Sequence, residues 1–252
     1  MREELTLPPT ALEIIGEFEH LHLGGKDVVC PYYMNIIKER AGLRSLIGKG
    51  DPSEIEKEVM VWAKLKDFDL NKADASQIRK FMMNHHIGID CSGFIVHVLN
   101  FWLQAEGKKS IEHYLKFKNN GFFARFKRLF RSVENISANT LTNLDNTTKI
   151  NDLNSVKPGD LIRSKGKVKN SHHVMLVHAT IKEAGKVKEI KYVHSSKNYG
   201  DKNGIKYGRI IIKDNSTSLG KQEWQEGPKN YTHAGFLVDE NDNGIRRLKI
   251  FN

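Results

Sequence analysis

One cysteine and three histidines have the types and the order needed for a nucleophile and its base. Cys91 precedes apolar residues that recur at helical spacing. His172 and His173 open one strand-like stretch, and His194 lies in the next. A cysteine hydrolase needs a thiolate, a base that takes and returns its proton, and a third group that orients the base. These residues supply all three roles.

The cysteine is predicted to begin a helix. Asp90 is a suitable N-cap, and the helix is expected to end near Gly107. A thiol in the first turn lies at the positive end of the helix dipole, which stabilises the thiolate. The alternative is a cysteine buried in the core, which would be the better interpretation for a cysteine without histidine partners.

The two adjacent histidines cannot both be the base. Successive side chains on a strand point to opposite faces, so only one of His172 and His173 faces Cys91. If the next strand is antiparallel, it brings His194 beside one of them. The alternation of side chains along a strand does not by itself show which of the two histidines faces Cys91.

Four stretches together carry a resemblance to a known family. Residues 90–94 (Asp-Cys-Ser-Gly-Phe) match a nucleophile motif, and residues 156–162 match a proline-glycine-aspartate turn into a core strand. His173-Val174 matches a base motif, and Val193-His194 matches the strand of the third residue. In this order they resemble the NlpC-type papain-like cysteine peptidases, which cut bacterial cell-wall peptides.

The resemblance implies a role for each residue of the site. Cys91 would be the nucleophile, His173 the general base and acid, and His194 the orienting group. The backbone N–H of Cys91 would help to form the oxyanion hole. The motif match selects His173 over His172.

Four further residues are expected to contact the substrate. They are Asp90 and Ser92 beside the nucleophile, Met175 and Tyr32. Met175 replaces a small residue of the family on the face of His173, and is expected to narrow the pocket. The family carries Pro-Tyr and then Gly-Gly shortly before the nucleophile, and residues 81–89 contain neither. Tyr32 is expected to fill the role of that tyrosine from the N-terminal region.

The elements that would position these residues are helical first and strand-like afterwards, which predicts an α+β, papain-like fold with an antiparallel sheet. Residues 1–86 are predicted to be a helical region with capping boxes at Asp51 and Asp74. Residues 87–252 would form the catalytic domain, with an insertion at about 108–155 in which residues 137–154 are a loop. The predicted strands are residues 160–163, 173–181, 190–195, 208–213, 232–238 and 245–251.

Charge and composition limit the partners. The 252 residues carry a net charge of +10, which suits an anionic partner. Residues 122–131, basic and aromatic, predict either a helix that touches a membrane or anionic polymer, or an ordinary surface helix. Nucleic acid is not the expected partner. Two cysteines make no disulfide framework.

The sequence predicts no metal and no cofactor, because zinc-type Cys/His spacings, phosphate-binding glycine loops and dinucleotide fingerprints are absent from it. The start of the chain lacks a signal-peptide pattern, which predicts a cytoplasmic protein or one exported by an unconventional route. The oligomeric state is left open.

The expected reaction is hydrolysis of an amide through a thioester, in a peptidoglycan peptide with γ-linked or D-residues. One alternative is a cytoplasmic amidase or peptidase that acts on recycled wall fragments or another small amide. Another is a binding protein without catalysis that engages an anionic partner on the same fold.

Overall fold

The computed structural model describes residues 1–34, 44–117, 133–165, 172–227 and 242–252. The basic and aromatic residues 122–131 and the predicted strand 232–238 lie outside these ranges. The helices of the described residues are α1 (Pro9–Glu19), α2 (Pro52–Leu65), α3 (Ala75–Asn84), α4 (Cys91–Ala105) and α5 (Ala138–Thr142). The strands are β1 (Arg2–Thr6), β2 (Leu21–Leu23), β3 (Lys26–Val28), β4 (Thr147–Ile150), β5 (Leu161–Lys165), β6 (His172–Glu183), β7 (Lys186–Ser196), β8 (Gly204–Ile211), β9 (Glu223–Gln225) and β10 (Gly244–Leu248).

The described strands form one large antiparallel sheet and one small hairpin. The large sheet has the order β4-β10-β5-β6-β7-β8-β9. One edge of the long strand β6 pairs first with β5 and then, beyond it, with β1. Its other edge pairs with β7. The α+β class and the antiparallel sheet predicted from the sequence are therefore present.

Both predicted capping boxes are present. The Asp51 carboxylate accepts from the Glu54 N–H, and the Glu54 carboxylate accepts from the Asp51 N–H. Asp74 and Gln77 form the same reciprocal pair at the start of α3. Each box provides acceptors for donors that a helix start leaves without intrahelical partners.

The N-terminal region differs from the helical prediction. Its first strand, β1, runs antiparallel to the far end of β6, with Glu4 opposite Ile181. A hairpin of β2 and β3 follows α1, and its two turn residues, Gly24 and Gly25, both have positive φ. Such a turn matches the twist of paired strands. The first strand was missed because it is short, largely exposed and mostly polar.

Residues 137–154, which were predicted to be a loop, contain a helix and a strand in the structure. Ser137 caps α5 by accepting from the Thr140 N–H, and β4 joins the large sheet beside β10. Leu141 is fully buried in the core. The described part of the predicted insertion therefore contributes to the packed fold.

The core lies on two sides of the sheet. The first cluster joins α1 and α4 to Val174, Leu176 and Val193, and within it the rings of Phe18 and Phe94 meet edge to face at 5.4 Å. The second cluster contains the alternate residues of the same strands, among them Met175, Val177 and Tyr192. Helix α4 is apolar over most of its surface and is correspondingly buried. Among the described helices, none has the length and apolar character needed to cross a bilayer.

Candidate active site

Cys91 is the first residue of α4, as predicted. The Asp90 carboxylate caps the helix by accepting from the Gly93 N–H at 2.6 Å. The Cys91 side chain is 5% exposed. Burial, reinforced by Asp90, raises the pKa of the Cys91 thiol to about 12, and Lys49 opposes this only in part. The Cys91 side chain is therefore a neutral thiol, because burial outweighs the helix-terminus effect expected from the sequence.

The thiol lies against β6. Hydrogen bonding from the backbone N–H groups of Val174 and Ser92 lowers the pKa of the Cys91 thiol, an effect smaller than that of burial. Val174 directly follows His173, so Cys91 lies against the segment of β6 that carries the predicted base. In the described ranges, no hydrogen bond joins the Cys91 sulfur to either imidazole of the pair. Catalytic hydrogen bonds of this kind are often loose until the substrate is bound.

The two predicted imidazoles meet across β6 and β7. Nε2 of His173 lies 2.7 Å from Nδ1 of His194, and the ring centroids are 4.9 Å apart. The two strands are antiparallel, as the sequence predicted, and the structure pairs Leu176 with Val193. His173 is the histidine that meets His194, whereas Nδ1 of His172 is buried and has no hydrogen-bond partner among the described residues. The pair with His194 is therefore formed by His173 and not by His172.

Both paired histidines are neutral at physiological pH. Burial, with a smaller effect of Lys197, lowers the pKa of His173 to about 4. Burial, His173 and Lys206 lower the pKa of His194 well below its ordinary value. The short contact between the rings is therefore one N–H donor and one lone-pair acceptor.

A buried lysine that no sequence pattern indicated, Lys49, donates hydrogen bonds at the start of α4. Nζ of Lys49 donates to Asp90 Oδ1 at 2.9 Å, to Ser92 Oγ at 2.6 Å and to the Ile136 carbonyl at 3.0 Å. The Ser92 hydroxyl donates to the same Asp90 oxygen at 2.9 Å. Lys49, Asp90 and Ser92 are between 4% and 6% exposed. Asp90 and Ser92, expected to contact the substrate, instead form a buried network beneath the nucleophile.

A glycine of the nucleophile motif makes this network possible. A Cβ on Gly93 would lie 2.7 Å from the Gly48 carbonyl oxygen and 3.1 Å from the Lys49 side chain. The segment that carries the cation therefore passes directly over the first turn of α4. No local pattern marks Lys49, because Asp90 is 41 positions away.

Tyr32 lies near Cys91, although it precedes it by 59 positions. Its backbone forms a parallel bridge with Ile89, and the Pro31 carbonyl accepts from the Ile89 N–H at 3.0 Å. Burial raises the pKa of the Tyr32 phenol, and the neighbouring Cys91 and Asp90 raise it further. The close approach of the two segments requires Gly88, since a Cβ there would lie 2.3 Å from the Pro31 carbonyl oxygen.

Met175 does not line an open pocket. It is fully buried and belongs to the second core cluster, with Val177 and Tyr192. Alternation places it on the face of His173, as expected, but that face is covered by packed side chains at this position. The predicted contact with a substrate therefore does not follow from its position.

A glutamate that the sequence analysis also missed lies behind the histidine pair. Oε1 of Glu226 is 3.4 Å from Nε2 of His194, and both side chains are buried. Two tyrosines, Tyr192 and Tyr199, donate to the same carboxylate at 2.9 and 3.0 Å. Glu226 follows β9 directly, and no spacing relates it to the histidines.

Other candidate groups are accounted for within the described ranges. His97 lies with Nε2 2.9 Å from the Lys49 carbonyl oxygen, which is a structural contact. Cys30 is a buried free thiol. The described residues contain no cluster of three or more metal-ligating side chains. Two surface clefts of about 460 and 440 Å³ are lined by other parts of the chain and do not include Cys91.

Comparison of the chain with protein-family models, with curated proteins and with solved structures finds no match.

Proposed function

We propose that this protein is a cysteine hydrolase of papain-like architecture that cleaves amide bonds through a thioester. The observation that carries the proposal is the arrangement of three residues. Cys91 begins a buried helix against the backbone of β6, and His173 and His194 are joined at 2.7 Å on adjacent strands. The sequence resemblance to NlpC-type peptidases supports the same assignment.

The reaction begins with transfer of the Cys91 proton to His173. Nε2 of His173 is engaged by His194, so Nδ1 is the nitrogen that accepts this proton. The sulfur then attacks the carbonyl carbon of the amide, and the C=O electron pair moves onto oxygen. The first N–H groups of a helix have no intrahelical acceptor, and that of Cys91 is a donor for this oxyanion.

Collapse of the tetrahedral intermediate breaks the C–N bond. The leaving amine takes the proton from His173, and the acyl group remains on Cys91 as a thioester. A water molecule then gives its proton to His173 and attacks the thioester carbonyl. The acid departs, and His173 returns the proton to the sulfur. The protein needs no other reactant than water.

The proposed substrate is a bacterial cell-wall peptide with γ-linked or D-residues. The net charge of +10 suits stem peptides that carry free carboxylates. Hydrolysis of soluble muropeptides and of intact sacculi, each measured by mass spectrometry, separates the two enzymatic alternatives. Release from muropeptides alone favours an enzyme of recycled fragments, and release from sacculi favours a wall hydrolase.

The test of the catalytic pair is alkylation of Cys91 by iodoacetamide across a pH series, followed by mass spectrometry. We expect slower labelling in His173→Ala, because burial keeps the thiol neutral and the imidazole must remove its proton as the sulfur reacts. His172→Ala is the matched control, because its ring belongs to the same strand but does not meet His194. Labelling at the pace of an ordinary thiol, equally fast in both variants, would contradict the proposal.

A binding protein on the same fold is the second candidate. The observation that favours it is the neutral, 5% exposed thiol without a hydrogen bond to His173 in the described structure. A binding role predicts association with an anionic polymer that weakens steeply with salt and is unchanged in Cys91→Ala. An enzyme instead loses all amide hydrolysis in that variant.

A further inference from the structure

The carboxylate of Glu226, behind the histidine pair, is buried and held by hydrogen bonds. The Glu226 side chain is 2% exposed and His194 is fully buried. Tyr192 donates to Oε2 at 2.9 Å and Tyr199 donates to Oε1 at 3.0 Å. Both oxygens are thereby held in position, with Oε1 3.4 Å from Nε2 of His194.

Two glycines make room for the tyrosine rings. A Cβ on Gly208 would lie 2.3 Å from the Tyr192 hydroxyl, and one on Gly227 would lie 2.1 Å from a ring carbon of Tyr199. Any larger residue at either position would displace the phenol that it contacts. The hydrogen bonds to the Glu226 carboxylate therefore require glycine at both positions, because each glycine leaves room for one of the two donating tyrosines.

The ring of His194 meets a defined set of groups. His173 contacts it from β6, Tyr192 from its own strand and Tyr199 from the turn after β7. Lys206 on β8 acts on it electrostatically. Among the described residues, its buried Nε2 has no hydrogen-bond partner, and Oε1 of Glu226 lies at ion-pair distance. A small rotation of either side chain would turn this contact into a hydrogen bond.

The position of the proton on His194 decides whether His173 can act as a base. If Nε2 of His194 carries the proton, it faces the carboxylate, and Nδ1 must accept from Nε2–H of His173. Nδ1 of His173 then keeps its lone pair for the Cys91 proton. In the opposite tautomer, Nδ1–H of His194 donates to His173, whose own proton then blocks Nδ1. That tautomer also points a lone pair of His194 at the Glu226 carboxylate.

We infer that Glu226 is a positioning residue that fixes the tautomer of His194 and, through it, that of His173. The result is a line of four residues in which Glu226 orients His194, His194 orients His173, and His173 receives the proton of Cys91. The carboxylate itself takes up no proton in this scheme. The inference rests on the proposed function for its consequence, although the tautomers can be measured without any substrate.

The first test is the ¹⁵N NMR spectrum of the imidazoles in the wild-type protein, assigned with His173→Gln and His194→Gln. We expect Nε2 to carry the proton in both rings. A wild-type His194 protonated on Nδ1 would overturn the inference, and this measurement needs no folded Glu226 variant.

The second test compares Glu226→Gln with Glu223→Gln. Glu223 lies three positions earlier, is exposed and pairs with Lys213, so its variant is the matched control. We expect Glu226→Gln to mix the tautomers and slow Cys91 alkylation at least about tenfold, because general-base contributions are typically about 10²–10⁴-fold. Unchanged tautomers and an unchanged alkylation rate in Glu226→Gln would refute the inference.

The two proposals fail in different ways. If wild-type Cys91 reacts as an ordinary thiol that is indifferent to His173→Ala, the proposed function fails, while the NMR spectrum still decides the role of Glu226. If Cys91 is activated by His173 and Glu226→Gln leaves both readouts unchanged, the function stands and the positioning role fails.

Discussion

Replacement of Lys49 by methionine tests whether the buried cation holds the start of the nucleophile helix. Methionine keeps much of the length of the side chain and removes its charge. The variant leaves the Asp90 carboxylate buried without its ion-pair partner, and the Ile136 carbonyl without the donor at 3.0 Å. Asp90 retains the Gly93 N–H and the Ser92 hydroxyl.

Loss of one partner of a buried ion pair costs about 3–5 kcal/mol, because the remaining charge stays buried. Because Asp90 retains two donors, we expect Lys49→Met to lower the free energy of unfolding by about 3 kcal/mol, near the lower end of that range. The Asp90→Asn change removes the carboxylate charge and keeps an oxygen for the Gly93 N–H. The double variant Lys49→Met/Asp90→Asn is therefore expected to be more stable than Lys49→Met by about 1 kcal/mol or more.

The assay is urea unfolding followed by tryptophan fluorescence and circular dichroism, with the midpoint and slope fitted for each variant. Lys72→Met is the matched control, because Lys72 pairs with Asp69 at 3.5 Å on the surface. Its midpoint is expected to stay that of the wild type. A double variant as unstable as the sum of its two single changes would refute the buried-pair argument. So would a Lys49→Met midpoint equal to that of Lys72→Met.

Two further changes test the packing and the charge state of the site. Acidification from about pH 6.5 to about pH 4 should lower the free energy of unfolding, because burial holds the pKa of His173 and of His178 at about 4 and the unfolded chain binds protons first. A flat unfolding midpoint across that range would contradict those pKa values. Gly93→Ala should destabilise the protein by about 1–3 kcal/mol through the contact with the Gly48 carbonyl. Gly16→Ala, in a helix with no atom within 4 Å of the added Cβ, should instead raise the unfolding midpoint.

The elements that the sequence predicted well are those specified by residues close together in the chain. Asp51, Asp74 and Asp90 each accept from an N–H three positions later, so the sequence contains the whole cap. The strands β6 and β7 were visible from their β-branched composition and the turn between them. By contrast, β1 is paired only with the distant end of β6, and its own residues give a weak pattern.

The same distinction applies to the site. The order of Cys91, His173 and His194 could be found from the motifs, and the pairing of the two rings followed from adjacent antiparallel strands. Lys49 and Glu226 could not be found in this way. Each residue is brought to the site only by the tertiary fold. In a chain with 40 basic and 30 acidic residues, no local sequence pattern distinguishes one lysine or one glutamate from the others.

These two missed residues act on opposite halves of the site. Lys49 holds Asp90 and Ser92 by hydrogen bonds, and these two residues flank Cys91 at the start of α4. Lys49 thereby fixes the position of the Cys91 side chain. Glu226 lies behind His194, on the far side of the histidine pair. Burial holds Cys91 and His173 neutral, so the proton transfer proposed between them would separate charge in a site of low polarity. That step is favourable only if both groups are already in place, because the oriented N–H groups around the sulfur must stabilise the new charge without rearrangement. For the proposed reaction, the burial that disfavours the thiolate at rest therefore makes the positioning of Cys91 and His173 by these two networks the decisive property of the site.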